Sequence, residues 1–172
     1  MRLFDPVLMA GAIHEAGHIV MFDHHENVVV CFQVLEDGTG ETVPSGGPVF
    51  DYEIALDTMM GGPAAEAMYL GHDQCPDLED VDVVLCETDL DDEYDERDDY
   101  RRAVERLTLA EPDWSPQEVT DAMRASYARC TSVLGRRWHQ VEALARMGIA
   151  SPGRSIQQGE IEQGLAAAPD SK

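Results

Sequence analysis

The first apolar positions of the chain recur at the spacing of an amphipathic helix. Asp5-Pro6 is a helix-start signal, because an aspartate side chain caps free amide groups and proline is tolerated at the first helical position. The apolar residues that follow are Val7, Leu8, Ala12, Ile13 and Val20. This pattern predicts a helix from Pro6 to about Asp23.

The pattern then changes to one typical of short strands. Residues 28–35 are rich in β-branched and apolar side chains, and residues 39–43 repeat that character after the turn signal Asp37-Gly38. We predict two strands joined by a tight turn.

A second helix is predicted over residues 52–70, with Gly71 as its stop. The adjacent glycines Gly61 and Gly62 do not suit its interior, because two glycines cost about 2 kcal/mol relative to alanine in a helix. Either the helix begins at Pro63, or another element packs closely against the glycines.

Further helices are predicted in the second half of the chain. Residues 77–100 are dense in carboxylates but keep apolar residues at roughly helical spacing, so we expect a helix with a solvated acidic face. Ser115 and Glu118 have the spacing of a capping box that opens a long helix to about Met147, and a last helix is expected near residues 158–166. The predicted fold class is mostly α (α+β), with a small β-hairpin or sheet beside the first helix.

The composition indicates one folded domain with a strongly acidic surface. Of the 172 residues, 44% are apolar and 27% are charged, which is ordinary for a globular protein. The 34 acidic and 12 basic residues give a net charge of −22, which makes binding to nucleic acid or to an anionic membrane unfavourable. We interpret the charge as a solvated surface; an acidic surface that mimics DNA is the alternative.

The cysteines indicate a reducing compartment. Cys31, Cys75, Cys86 and Cys130 are far apart in sequence and include no CxxC pair, which is typical of reduced thiols in a cytoplasmic protein. No apolar run reaches the length of about 18 residues that a membrane span needs, so we expect a soluble protein without a membrane segment.

A metal-binding motif lies inside the first predicted helix. His14-Glu15-Ala16-Gly17-His18 has the HExxH pattern, and residues four apart lie on one face of a helix, so both imidazoles can reach one zinc ion. Glu15 can then act as the general base on a zinc-bound water. The motif predicts zinc-dependent hydrolysis of peptide bonds.

A zinc peptidase needs a third protein ligand and leaves one position for water. The residues downstream that can supply it are Glu66, His72, Cys75, Asp77 and Asp80. We interpret Glu66 as a residue that orients a ligand histidine rather than as a ligand. Asp77 has the alternative role of a helix N-cap, and spacing alone does not select among the candidates.

Several segments, in order, resemble the peptidase domain of the FtsH family of ATP-dependent zinc proteases. HEAGH at 14–18 has that family's form of the zinc motif, and GGPAAE at 61–66 is similar to its GGRxAEE segment. The segment 28–44 resembles the family's strand pair, Asp77 the aspartate of its Asp-Leu/Ile pair, and residues 159–161 its closing Gly-Glu-Glu-Ile pattern.

The resemblance implies a zincin-like helical peptidase domain. We expect a single FtsH-like unit over residues 1–172, with its core over about 7–165 and a flexible tail at 166–172. In the family, the second strand of the pair lies beside the active site and aligns the substrate. The residues so implied as substrate-binding are Thr39, Gly40, Glu41, Thr42 and Val43.

The resemblance also implies a ligand set. His14, His18 and Asp77 would hold the zinc ion, and Glu15 would be the catalytic carboxylate. Residues 72–76 replace the family's Thr-Gly-Ala-Ser-Asn, which leaves Asp80 or His72 as alternatives to Asp77.

We expect neither an ATPase module nor a membrane anchor, and in this expectation the chain departs from the family. We therefore expect a zinc-dependent endopeptidase that cleaves unfolded or short polypeptides, unless a separate ATPase feeds it. A homo-oligomer is a second form of partnership that the resemblance suggests. The alternative function is a catalytically inactive binding module of the same fold, whose acidic surface engages a basic partner or mimics DNA.

Overall fold

The computed structural model describes residues 5–46, 51–71 and 99–167. Helix α1 spans Pro6–His24, and the Asp5 side chain accepts a hydrogen bond from the Val7 amide at 2.9 Å. The helix-start signal is thus confirmed, and the helix ends one residue beyond the predicted Asp23.

A three-stranded antiparallel sheet follows, with the order β2-β1-β3. Strands β1 (Val29–Val34) and β2 (Gly40–Pro44) form the predicted hairpin, and its turn includes Gly38 at a φ of 86°. Strand β3 (Ile156–Gln157) pairs with the other side of β1 and was not predicted. Among the described strands, β2 therefore lies at an edge of the sheet.

Helix α2 spans Tyr52–Leu70 and ends at Gly71, which has a φ of 72° as a helix stop requires. The helix runs without interruption through Gly61, Gly62 and Pro63, so it does not begin at Pro63. The glycines instead permit a close approach of α1. A Cβ added to Gly17 would lie 2.3 Å from the carbonyl oxygen of Gly61, so the two helices meet backbone to backbone.

Helix α3 spans Asp99–Ala110 and extends beyond the segment for which a helix was predicted. Of residues 77–100, only the last two lie within the described part of the chain. The buried positions Ala103, Val104 and Leu107 form the apolar stripe of α3.

The prediction of one long helix that runs to Met147 is wrong, because two helices occupy that segment. Helix α4 spans Pro116–Arg136 with the predicted capping box at its start, and helix α5 spans Trp138–Ala150. They are separated at Arg137, whose guanidinium donates a hydrogen bond to the carbonyl oxygen of Val20 at 3.2 Å. A tertiary contact with α1 therefore accompanies the break. Helix α6 (Gln158–Ala167) is the predicted last helix.

The core is organised around α1, which packs against α2, α5 and both strands of the hairpin. Its apolar side chains that are at most 2% exposed are Ala12, Ile13, Ala16, Ile19, Val20 and Met21. The mostly helical α+β fold class is confirmed. In the part of the chain that the structure describes, no helix is both long and apolar enough to cross a membrane.

An ion pair that includes a buried carboxylate joins α2 to α4. The Asp57 carboxylate accepts hydrogen bonds from Arg129 Nη2 at 2.7 Å and from the Ser126 hydroxyl at 2.7 Å, and it lies 3.3 Å from His25 Nε2. Burial raises the pKa of the neighbouring Cys130 thiol to about 12, so that cysteine is an unreactive part of the core. The contacts hold in place the turn of α2 that follows Asp57.

Cys31 and Cys130 are free thiols, in agreement with the prediction for those two cysteines. Cys75 and Cys86 lie outside the described residues.

Candidate metal centre

Helix α1 brings His14 and His18 together as the motif predicts. Their Nε2 atoms are 3.2 Å apart, since residues separated by four positions lie one above the other on a helix. His18 is 7% exposed, and the ring of His14 is partly buried. Both imidazoles therefore face inward, toward α2 and α3.

The second ring nitrogen of each imidazole is fixed by α2. His18 Nδ1 lies 2.7 Å from the carbonyl oxygen of Thr58, which can only accept, so Nδ1 carries the hydrogen. His14 Nδ1 lies 2.9 Å from Oε2 of Glu66. Glu66 thus occupies the orienting position that the sequence suggested, because it binds Nδ1 of His14 and leaves Nε2 to face His18. Both rings are held with Nε2 pointing to a common point.

Gly62 explains how the imidazoles fit beside α2. A Cβ at this position would lie 2.3 Å from His18 Nε2 and 2.6 Å from His14 Nε2 and would clash with both atoms. The rings therefore lie directly against the bare backbone of the helix. The second glycine of the anomalous pair serves the site, whereas Gly61 serves the contact between helices.

Asp99, at the start of α3, completes the cluster. Its Oδ2 atom is 2.9 Å from Nε2 of His14 and 2.9 Å from Nε2 of His18. Asp99 was not among the ligands predicted from the sequence. The available signal was its phase, because Asp99 lies four and eight positions before the buried Ala103 and Leu107 and so places a carboxylate on an apolar stripe.

None of the third ligands predicted from the sequence is seen to join the cluster of Nε2 atoms in the described part of the chain. Asp77, His72, Cys75 and Asp80 lie outside the described residues, so their roles stay predictions. Glu66, the remaining candidate, contacts the Nδ1 side of His14 rather than the cluster of Nε2 atoms.

The charges of the cluster depend on one another. Burial lowers the pKa of His14, but hydrogen bonds with Asp99 and Glu66 outweigh it and raise the pKa to about 9. For Asp99, burial acts to raise the pKa, and the bonds with His14 and His18 bring it well below its usual range. The bond with His14 also lowers the pKa of Glu66. The carboxylates are therefore ionised and favour positive charge between them.

The donor atoms fit a zinc ion. Two imidazole nitrogens and one carboxylate oxygen are a donor set of catalytic zinc sites, which keep a fourth position open. Ligands about 2.0–2.1 Å from a tetrahedral zinc ion lie roughly 3.3 Å from one another. The separations of 2.9, 2.9 and 3.2 Å in the cluster come within a few tenths of an ångström of that value.

Glu15 lies beside this cluster but is not part of it. It is about 60° round the helix from His18 and about 100° from His14, and its residue is 6% exposed. Oε2 of Glu15 accepts a hydrogen bond of 2.6 Å from the hydroxyl of Thr42 in β2. The structure thus brings the predicted catalytic carboxylate and the predicted substrate strand into contact.

Comparison of the sequence with models of known protein families and with curated proteins gives no match. The resemblance to FtsH-type peptidases therefore stays a prediction from the motifs.

Proposed function

We propose that this protein is a zinc-dependent endopeptidase with a zincin-like site, in which His14, His18 and Asp99 hold the metal ion and Glu15 is the general base. The observation that supports this most directly is the convergence of two Nε2 atoms on one carboxylate oxygen, each at 2.9 Å. Asp99 takes the place that the resemblance assigns to Asp77.

The hydrogen bonding of the rings explains why this arrangement favours a cation. Both Nδ1 atoms face acceptors, the carbonyl oxygen of Thr58 and the carboxylate of Glu66, and therefore carry hydrogens. Two neutral imidazoles would then direct their Nε2 lone pairs at each other and at the Asp99 carboxylate. Such an array of acceptors needs protons or a metal ion at its centre, and a divalent ion satisfies all three atoms at once.

The chemistry follows from the residues around the cluster. When bound, a zinc ion supplies Lewis acidity, which polarises a carbonyl group and lowers the pKa of a water molecule to about 7. The Glu15 carboxylate would accept a proton from the attacking water as the water oxygen bonds to the carbonyl carbon of the substrate. The protonated Glu15 then gives the proton to the leaving amine as the C–N bond breaks. Thr58 and Glu66 keep the two imidazoles in position throughout.

The substrate class follows from the place of β2. An extended polypeptide can pair with the outer edge of this strand through main-chain hydrogen bonds, which require no particular sequence. Unfolded or short polypeptides meet that requirement, because their backbone groups are free. Residues 39–43 are the segment that we propose for this pairing.

The zinc content of the purified protein tests the metal centre. We expect about one zinc ion per chain in the native protein, loss of zinc in His14→Ala and Asp99→Ala, and retention in Asp77→Ala. Loss of zinc in Asp77→Ala with retention of zinc in Asp99→Ala would instead support the ligand set that the resemblance implies. A folded native protein that takes up no added zinc would contradict the proposal and favour the inactive binding module.

Glu15→Gln tests the peptidase chemistry separately from the metal. Glutamine keeps an oxygen that can accept from Thr42, so the fold and the zinc content should not change. Cleavage of an unfolded protein such as casein should fall by about 10²–10⁴-fold, the usual contribution of a general base. Cleavage at the native rate by this variant would refute the role of Glu15.

A further inference from the structure

We propose that Thr42 is a positioning residue for the Glu15 carboxylate, so that the strand beside the site also sets the orientation of the general base. This inference rests on the proposed peptidase function and deepens it. The resemblance gave Thr42 a place only in the substrate strand, whereas the structure directs its side chain to Glu15.

The contact has the geometry of a strong hydrogen bond. The Thr42 hydroxyl oxygen is 2.6 Å from Glu15 Oε2, and an ionised carboxylate can only accept, so Thr42 donates. Glutamate has three rotatable side-chain bonds, and holding one orientation needs contacts that offset the lost rotamer freedom. The hydroxyl supplies one such contact at the end of the side chain.

The same strand also shapes the space for the rest of Glu15. Gly40 lies two residues before Thr42 and so faces the same side of β2. A Cβ on Gly40 would lie 2.5 Å from Glu15 Cγ and 2.8 Å from Oε1. The absence of a side chain at position 40 leaves room for the glutamate, and the hydroxyl at position 42 holds its carboxylate.

Thr42 is itself well supported. Its partner in the β1–β2 register is Phe32, which is fully buried and is also paired with Ile156 of β3. Thr42 therefore lies within a paired strand, opposite a buried residue of the central strand β1, rather than in a loop. A group that must hold another in place benefits from such a rigid element.

The hydroxyl can serve both protonation states of Glu15. The carbonyl oxygen of Glu15 lies 3.4 Å from the Thr42 hydroxyl and is a second acceptor for it. When the carboxylate has taken up a proton, its O–H can donate to the Thr42 oxygen while the threonine hydrogen turns to that carbonyl. Thr42 keeps its own hydroxyl hydrogen in this exchange. Serine can act in the same way, and valine cannot.

The test compares Thr42→Val, which keeps the branched shape without the hydroxyl, with Thr42→Ser, which keeps the hydroxyl. Zinc content and the melting temperature are measured first, and both should match the native protein. For casein cleavage, we expect kcat of Thr42→Val to fall about 10- to 100-fold at unchanged KM, because a displaced catalytic group loses about that much. Thr42→Ser should stay within about threefold of the native kcat.

Two kinetic outcomes would overturn the proposal. A native kcat in Thr42→Val would show that Glu15 needs no hydroxyl, and an equal loss in both variants would point to packing of the methyl group instead. A crystal structure of each variant gives a readout that does not depend on activity. The Glu15 side chain should keep its native rotamer in Thr42→Ser and leave it in Thr42→Val.

An unchanged Glu15 rotamer in Thr42→Val would also refute the positioning role, whatever the kinetics. If the native protein cleaves no polypeptide, the proposed function fails. The two crystal structures still decide whether Thr42 orients Glu15, so the two failures are distinguishable.

Discussion

The two histidines of the cluster are held by different kinds of acceptor. His18 binds a main-chain carbonyl, which carries no net charge, whereas His14 binds the carboxylate of Glu66. A carboxylate partner makes an imidazole more basic and a better ligand. The ring of His14 should therefore depend on a single side chain in a way that the ring of His18 does not.

Glu66→Gln tests this dependence. Glutamine retains an oxygen for His14 Nδ1 but removes the charge, so we expect zinc affinity to fall about 10- to 100-fold, as is usual when a partner of a ligand histidine is lost. Competition with a chromophoric chelator measures the change. Glu142→Gln on α5 is the matched control and should leave the affinity unaltered. Equal affinities for the native protein and Glu66→Gln would mean that the carboxylate does not orient the ring.

The residues of the site could be predicted from the sequence where they lie close together in one element. His14, Glu15 and His18 follow from the periodicity of a single helix. Asp99 is separated from His14 by 85 positions and occurs in a stretch rich in carboxylates, so only its phase on α3 marks it. The bond between Thr42 and Glu15 joins a helix to a strand, and no spacing within either element reveals it.

At the scale of elements, the contact between α1 and α2 decides the shape of the site. Gly17 and Gly61 let the backbones touch, and a Cβ on Gly17 would also lie 2.6 Å from the Cβ of Ala65. Helix propensity marked the glycine pair as anomalous but did not show which neighbour required it. The histidines are on α1 and their acceptors on α2, so the distance between the two helices sets the geometry of the imidazoles.

Gly62→Ala should disrupt the metal centre and leave the fold intact. Alanine favours the helix, but its methyl group would overlap the ligand nitrogen atoms and displace both rings. We expect zinc binding to weaken at least about 100-fold while the circular dichroism spectrum stays native.

Gly135→Ala is the matched control for Gly62→Ala. An added Cβ there has as its nearest neighbour only the terminal carbon of Met68, at 4.0 Å. This substitution in α4 should raise the free energy of unfolding by about 0.5–1 kcal/mol and leave zinc binding unchanged. Native zinc affinity in Gly62→Ala would show that the rings do not lie against this helix.

The elements themselves were predicted where a local signal exists. Asp5-Pro6 and the capping box at Ser115 mark helix starts through bonds that lie within one turn. No proline marks the break at Arg137, Gly135 lies inside the last turn of α4, and the contact of the Arg137 side chain with α1 is not a local property of the sequence. Strand β3 has two residues, too few for any alternation to show.

At the scale of the whole molecule, a net charge of −22 favours the approach of cations over that of anions. Protons and metal ions then compete for the same cluster. Because the pKa of His14 is raised to about 9, its proton stabilises the metal-free fold fully below about pH 6.5 and ceases to do so as the pH rises through 9. The zinc-bound form that we propose would have the opposite preference, since its ligands must be deprotonated.

Zinc binding should therefore release about one proton from His14 at pH 7. Apparent affinity should rise about tenfold per pH unit and level off above pH 9. Calorimetric titration in two buffers of different ionisation enthalpy counts the protons directly. Binding without proton release at pH 7 would show that His14 is already neutral in the metal-free protein.

The position of Asp99 between two imidazoles has a practical consequence for anyone who purifies this protein. Because protons can hold the same three side chains together, we expect the chain to fold without zinc and folded molecules with and without zinc to migrate alike on a sizing column. For the peptidase that we propose, specific activity would then report zinc occupancy as much as catalytic competence. Rates should be expressed per zinc ion rather than per chain, and a chelated sample should recover on addition of metal without a refolding step.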